Sequence, residues 1–329
     1  VTLSYSVRLL CICFAAFFLI HALLVLSVEI AARRAIGFAR GMSPRLASRF
    51  LFAVRMLPLA LAGFVVLGLC LPSYLLLEPQ AVGEEVGWPC MVIALLGAAI
   101  CVASIVRMAK AAWHSAQMGR DWRSGGIETA IGAEHLVATV VQRQTPILAV
   151  AGIIQPRLIV SSSVLQSLSG EELNAALRHE RAHKIWRDNF KRLLFVAAPR
   201  PFGLSLGLRA LESQWSKFAE WAADDHAAAS DSHRALLLAT ALIRFAKLGL
   251  PVQQTAIVSS FVDGSDLAER VERLLSETPW SRKRVDGRAG RLRHLLASAA
   301  VLAMCSLIAV AFWPASLFAV HQLLERLIG

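Results

Sequence analysis

Charge is scarce in this sequence: 17% of its 329 residues are Asp, Glu, Lys or Arg, against about a quarter in a soluble domain. With 56% apolar residues, the deficit excludes a disordered chain, and 20 glycines and 12 prolines are too few for a collagen-like one. Tyrosine is nearly absent, confined to Tyr5 and Tyr74. Cysteine is missing from all of 107–294, since Cys11, Cys13, Cys70, Cys90, Cys101 and Cys305 lie in apolar runs. That excludes a disulfide framework or a Cys-ligated metal in 107–294, and the six read as small apolar helix residues. No internal repeat or low-complexity stretch is visible, and the apolar runs lack the paired charges and repeat symmetry of a transporter.

What the chain has in excess is long apolar runs, at 9–28, 56–77, 88–106 and 295–313. Each approaches the roughly 20 residues that cross a bilayer. The first is read as a membrane helix and not a cleaved signal, because it has no basic segment before it and exits into Glu29, Arg33 and Arg34. The distribution of the +11 net charge sets the expected topology. Arg33, Arg34, Arg40, Arg45 and Arg49 follow the first run, whereas Glu78, Glu84 and Glu85 separate the second from the third. By the positive-inside rule the basic segments are cytoplasmic. Arg107, Lys110, Arg120 and Arg123 after the third run, and the cluster 282–293 before the fourth, then also fall inside.

The expectation is a four-helix membrane protein with both termini extracytoplasmic. Residues 1–106 hold three spans, 107–294 form one cytoplasmic domain, and 295–329 supply the fourth span (295–313) and a short tail. The basic surplus points to anionic lipid at 282–293, not to direct nucleic-acid binding. Tyr5, Tyr74, Trp88 and Trp313 read as an outer aromatic belt, and Arg55 as a snorkelling side chain at a helix end.

The stretch 107–294 reads as a small α+β domain. Residues 135–141 and 147–160, rich in β-branched and aliphatic residues and punctuated by Gly152 and Pro156, suggest short strands and a hairpin. The strand at 148–153 reads equally well as buried or as an open edge for an extended substrate. Ser169 and Glu172 form a capping-box pattern ahead of a helix whose apolar stripe (Leu173, Ala176, Trp186, Phe190, Leu194) runs on to Pro199. A second helix is expected over 206–229, with Leu208, Leu211, Trp215, Phe218 and Ala222 on one face, and a third over 267–275.

Chemistry concentrates at His179-Glu180-Arg181-Ala182-His183, an H-E-x-x-H pattern. Imidazoles four residues apart share a helical face and can share a tetrahedral zinc ion, and the Glu between them is placed to deprotonate water. Glu220 is the candidate third ligand. Asp224, one turn on, shares its face and can accept the remaining N–H of a ligand histidine, whereas Asp225 sits about 100° around the helix. Peptide hydrolysis also needs an oxyanion stabiliser. Both tyrosines are expected on the far side of the membrane, leaving His226 and His233 as candidates.

The run GIIQPRLIVSSSVLQSLSGEELNAALRHERAHKIWRDNFKRL followed by AEWAADDHA resembles the membrane zinc metallopeptidases of the BlaR/MecR type, signal transducers that cleave or inactivate a repressor. The resemblance covers roughly 135–280. It implies a zincin-like (gluzincin) fold, zinc held by His179, His183 and Glu220, Glu180 as general base, and acidic pattern positions at Asp188 and Asp224. It also implies a protein substrate in the cytoplasm or at the membrane, for example a transcriptional repressor. Two departures stand out. Arg181 occupies a usually apolar position, so it must turn off the core side or pair with an acid. Sixteen residues follow Trp313, so the penicillin-binding domain of the antibiotic sensors is not expected. Housekeeping membrane proteases of the HtpX/Ste24 type share H-E-x-x-H and the downstream ExxxD, and a catalytically idle transducer that merely binds a partner is the rival from another class.

Overall fold

Three helices are long and apolar enough to cross a membrane: α1 (Tyr5–Ala39), α2 (Pro44–Leu77) and α3 (Trp88–Arg123). At about 1.5 Å per residue each is longer than the roughly 30 Å hydrocarbon core. The computed structural model describes residues 4–77, 86–201, 206–248, 259–260, 267–276 and 313–328. The apolar run 295–313, apart from Trp313, and the basic cluster 282–293 lie outside the described residues.

Helix α2 contains a π-helical turn at Val66–Cys70, and α3 does not stop at 106. It continues as a polar rod to Arg123, where Trp122 packs against Val141, Ile147, Ala151 and Ile159 and Met118 against Ala149. One continuous helix therefore fixes the sheet to the apolar bundle. Five cysteines (11, 13, 70, 90 and 101) are free thiols on these helices.

The sheet comprises β1 (Ile127–Ile131), β2 (Leu136–Val141), β3 (Leu148–Ala151), β4 (Arg157–Ser161) and β5 (Ser259–Ser260), in the order β1-β2-β4-β3-β5. The expected hairpin is β3–β4, closed at Gly152, whose φ of 98° suits glycine and where a Cβ would lie 2.9 Å from the Gln155 carbonyl oxygen. β2 and β4 are parallel and the other pairs antiparallel. β1 was not expected from its sequence, IETAI, four of whose five residues are exposed. The β3 question is settled in favour of burial: all four residues are buried, and Ala149 and Val150 pair with Ser260 and Ser259 on the outer side.

After the short α4 (Ser162–Ser167), α5 (Gly170–Trp186) opens with the full capping box. The Ser169 hydroxyl accepts from the Glu172 N–H and the Glu172 carboxylate from the Ser169 N–H. The expected unbroken helix to Pro199 is corrected here: Arg187 adopts a left-handed conformation (φ 54°) and a separate helix, α6 (Asp188–Ala197), follows. A non-glycine residue there costs roughly 1–2 kcal/mol. The break is compensated by Asn189, whose amide donates to the Val150 and Gly152 carbonyls and ties α6 to β3.

Helix α7 (Leu206–Ala228) buries Leu208, Leu211, Trp215 and Phe218 against Val25, Val28, Ala32 and Ile36 of α1 and Ala47 and Leu51 of α2. At its start the Glu29 carboxylate of α1 accepts hydrogen bonds from the Gly207 and Leu208 N–H groups, a charge-assisted cap. The snorkelling reading of Arg55 is corrected. Its side chain is 1% exposed and its Nε donates to Glu212 of α7 at 2.7 Å, since α7 covers the face of α2 that the sequence alone would leave to lipid or water. Tyr74 is likewise not a belt residue: it is buried, with its hydroxyl accepting from Arg8. Trp88 and Trp313 are exposed. Helices α8 (Ser232–Lys247) and α9 (Leu267–Leu275) close the domain, their apolar faces joining one core with α5 and the sheet. The tail after Trp313 is helical, α10 (Pro314–Ile328).

Candidate metal centre

Helix α5 presents His179 and His183 on its buried side, one turn apart, and α7 brings Glu220 to them. One ligand atom from each lies within 4.8 Å of the others, and all three residues are buried. The imidazole Nε2 atoms are 3.1 Å apart, and the Glu220 carboxylate oxygens lie 3.4 Å from His179 Nε2 and 3.6 Å from His183 Nε2. Donors on a tetrahedral ion with bonds near 2.0–2.1 Å are spaced about 3.3 Å apart. The set therefore has the size of a metal site.

The outer contacts orient both rings. His179 Nδ1 lies 2.9 Å from Asp224 Oδ1, and His183 Nδ1 lies 2.8 Å from Asp188 Oδ2. With His183 Nδ1 hydrogen-bonded to Asp188 and His179 Nδ1 at ion-pair distance from Asp224, the two Nε2 atoms face each other, an arrangement that calls for a cation or a proton between them. The left-handed residue Arg187 has its purpose here, since the turn it makes returns Asp188 to His183. Electrostatics agree. Burial alone would lower His183, but Glu220 and Asp188 outweigh it and raise it to about 10. Burial would raise Asp224, yet Arg270 and His179 hold it at about 2.

Glu180 lies between the two histidines on the same helix. It is fully buried, and both its carboxylate oxygens lack a hydrogen-bond partner among the described residues. Burial is the main reason its carboxyl is raised to about 7, the charges of His183 and His179 opposing it. Between pH 4.5 and 7 the folded chain thus binds more protons at this group than the unfolded chain, so this group's contribution to stability falls as pH rises across that window. In chelated, metal-free protein, Glu180→Gln should raise stability by about 3 kcal/mol above pH 7 and leave it unchanged near pH 4, read from thermal unfolding at the two pH values. Equal melting temperatures of variant and wild type at pH 8 would contradict the buried, unpaired placement.

Arg181, the departure from the usual pattern, is exposed and pairs with Glu134, which Arg178 also holds. Asp225 pairs with Arg273 of α9 and does not join the ligand set. His226 is exposed and packs edge-on against Trp186, and His233 lies in the first turn of α8 with its N–H bonded to Asp231. Neither belongs to the His179–His183–Glu220 cluster.

Two arginines were missed. Arg270 is buried and forks onto Asp224 through Nε (2.9 Å) and Nη2 (2.7 Å), with Nη1 3.3 Å from Glu220. Arg192 of α6 reaches within 3.6 Å of Glu220. The signal for Arg270 was present, because it shares the apolar face of LAERVERLL with Leu267, Val271 and Leu274, and a charge there needs a buried partner. The chain matches no protein-family model and no curated protein.

Proposed function

We propose that this chain is a membrane-embedded zinc endopeptidase of the BlaR/MecR kind, with a zincin-like domain on the cytoplasmic side that hydrolyses a cytoplasmic or membrane-proximal protein. A regulatory substrate such as a transcriptional repressor fits that kinship. The proposal includes a fourth span at 295–313, extracytoplasmic termini and anionic-lipid contact at 282–293. The observation that carries it is the pairing of a buried His-His-Glu set with a neighbouring carboxylate, Glu180, whose oxygens have no hydrogen-bond partner among the described residues.

Two imidazoles and one carboxylate are the donors of catalytic zinc sites that keep one position open. Zinc held there would supply a Lewis acid and make water acidic enough to lose a proton near neutrality. Glu180, buried beside the histidines, is the group placed to take that proton and to give it to the departing amine. Asp224 and Asp188 keep the imidazoles aimed, and Arg270 keeps Asp224 ionised while steadying Glu220. An idle transducer would have no use for a desolvated, unpaired carboxylate, which is costly to keep. Proteomes of cells carrying the wild-type chain and cells carrying Glu180→Gln should differ in a small set of proteins left whole only in the latter, and chelation should abolish their cleavage in membranes. Identical fragment sets in the two would sink the proposal.

A further inference from the structure

Beside the metal centre, between α5 and the sheet, lies a cavity of about 330 Å³. Its walls are apolar, formed by Leu136, Val150 and Leu158 from three strands, and Glu180 opens onto it. Volume and lining place it at the small end of ligand pockets, suited to one bulky side chain. Its mouth carries Lys184 and Arg187, both exposed. Arg181, at the same rim, is neutralised by Glu134, but neither Lys184 nor Arg187 has an acidic partner among the described residues. Arg45, over the Trp186 ring at 4.9 Å, adds to the positive field at this end of α5.

We propose, resting on the hydrolytic reading above, that this cavity selects a protein segment in which a bulky apolar residue lies within about three positions of Asp or Glu. The apolar side chain enters the cavity and the carboxylates meet Lys184 and Arg187. Spacing supports the match. Lys184 lies one helical turn beyond Glu180, about 6 Å along the axis, and Arg187 about 10 Å, which an extended segment covers in roughly two and three residues. A lipid tail fits less well. It would leave the Glu180 oxygens facing hydrocarbon with no donor, whereas a peptide brings N–H groups to them. Lys184, in the last turn of α5, also complements the helix dipole, but that role would not discriminate between partners.

The test uses the full chain in nanodiscs, stripped of metal so that nothing is cut, and fluorescently labelled peptides with a central Phe flanked by Glu, Gln or Lys. Anisotropy should show the Glu-flanked peptide binding about tenfold tighter than the Gln-flanked one, with the Lys-flanked one weakest, as two exposed ion pairs allow. Replacing Phe by Ser in the peptide should remove binding. Lys184→Glu with Arg187→Glu should reverse the order, and the paired Gln variants, at two exposed positions, should flatten it. Equal affinity for all three flanks, or an unchanged order in the charge variants, overturns the proposal. So does a Glu preference seen in neutral nanodiscs and lost in phosphatidylserine-containing ones, which would give the cations to lipid. With zinc restored, failure to cut any peptide while the binding order holds counts against hydrolysis and not against the pocket. Equal cutting of all three flanks counts against the pocket alone.

Discussion

Purified chain carrying Glu180→Gln is expected to keep its metal and its fold while losing peptide hydrolysis by several orders of magnitude. Glutamine matches glutamate in shape, so the apolar cavity and the packing of α5 stay as they are, but it cannot hold the proton that must pass from water to the leaving amine. Among the described residues around the site, no other carboxylate is free for that task. Glu220 belongs to the ligand set, Asp224 is committed to His179 and Arg270, and Asp188 to His183 and Lys191. Loss of an essential catalytic group removes the stabilisation made only in the transition state, so the fall should appear in kcat more than in KM. Metal content and thermal unfolding measured on the same preparation separate chemistry from folding. A Glu180→Gln protein that cleaves at the wild-type rate, or that preserves full biological output where His179→Ala abolishes it, would show the metal to be structural and favour the idle transducer.

The second large effect is on metal content. One zinc per chain is expected, with occupancy lost in His179→Ala, His183→Ala and Glu220→Ala. Each removes one of three donors and leaves its neighbours crowded around an uncompensated gap. Asp224→Asn should instead weaken affinity by roughly 10 to 100-fold, because it removes the charge that lies against His179 Nδ1 without removing a donor. Asp225→Ala should leave affinity unchanged, since that carboxylate faces Arg273. Competition titration against a chromophoric chelator measures all five. Full occupancy in Glu220→Ala combined with loss in Asp225→Ala would falsify the ligand set.

The candidate metal centre was legible because its spacing is local. H-E-x-x-H puts two imidazoles on one helical face, and ExxxD puts Glu220 and Asp224 on another, by the 3.6-residue period alone. The fold was legible where periodicity or apolar length carried it, as in α1 to α3, α7 and α9. It was hidden where a residue's setting comes from a distant segment. Nothing near Arg55 announces Glu212, 157 residues away. Nothing in IETAI marks β1 as a strand except the β2 edge it pairs with. The helix break at Arg187 was invisible because the apolar stripe continues through it, and only the pull of Asp188 toward His183 and of Asn189 toward β3 ends the helix there.

By itself, then, the sequence determined three apolar helices long enough to cross a membrane and the two helices that bring together His179, His183 and Glu220, since each follows from length or from spacing within one helix. Only the tertiary structure decided that α7 docks on α1 and α2, that Arg270 locks Asp224, and that Glu180 faces a cavity with Lys184 and Arg187 at its mouth. Those features depend on which surfaces meet, and a buried charge finds its partner through the packing of whole helices, a relation that no local pattern encodes.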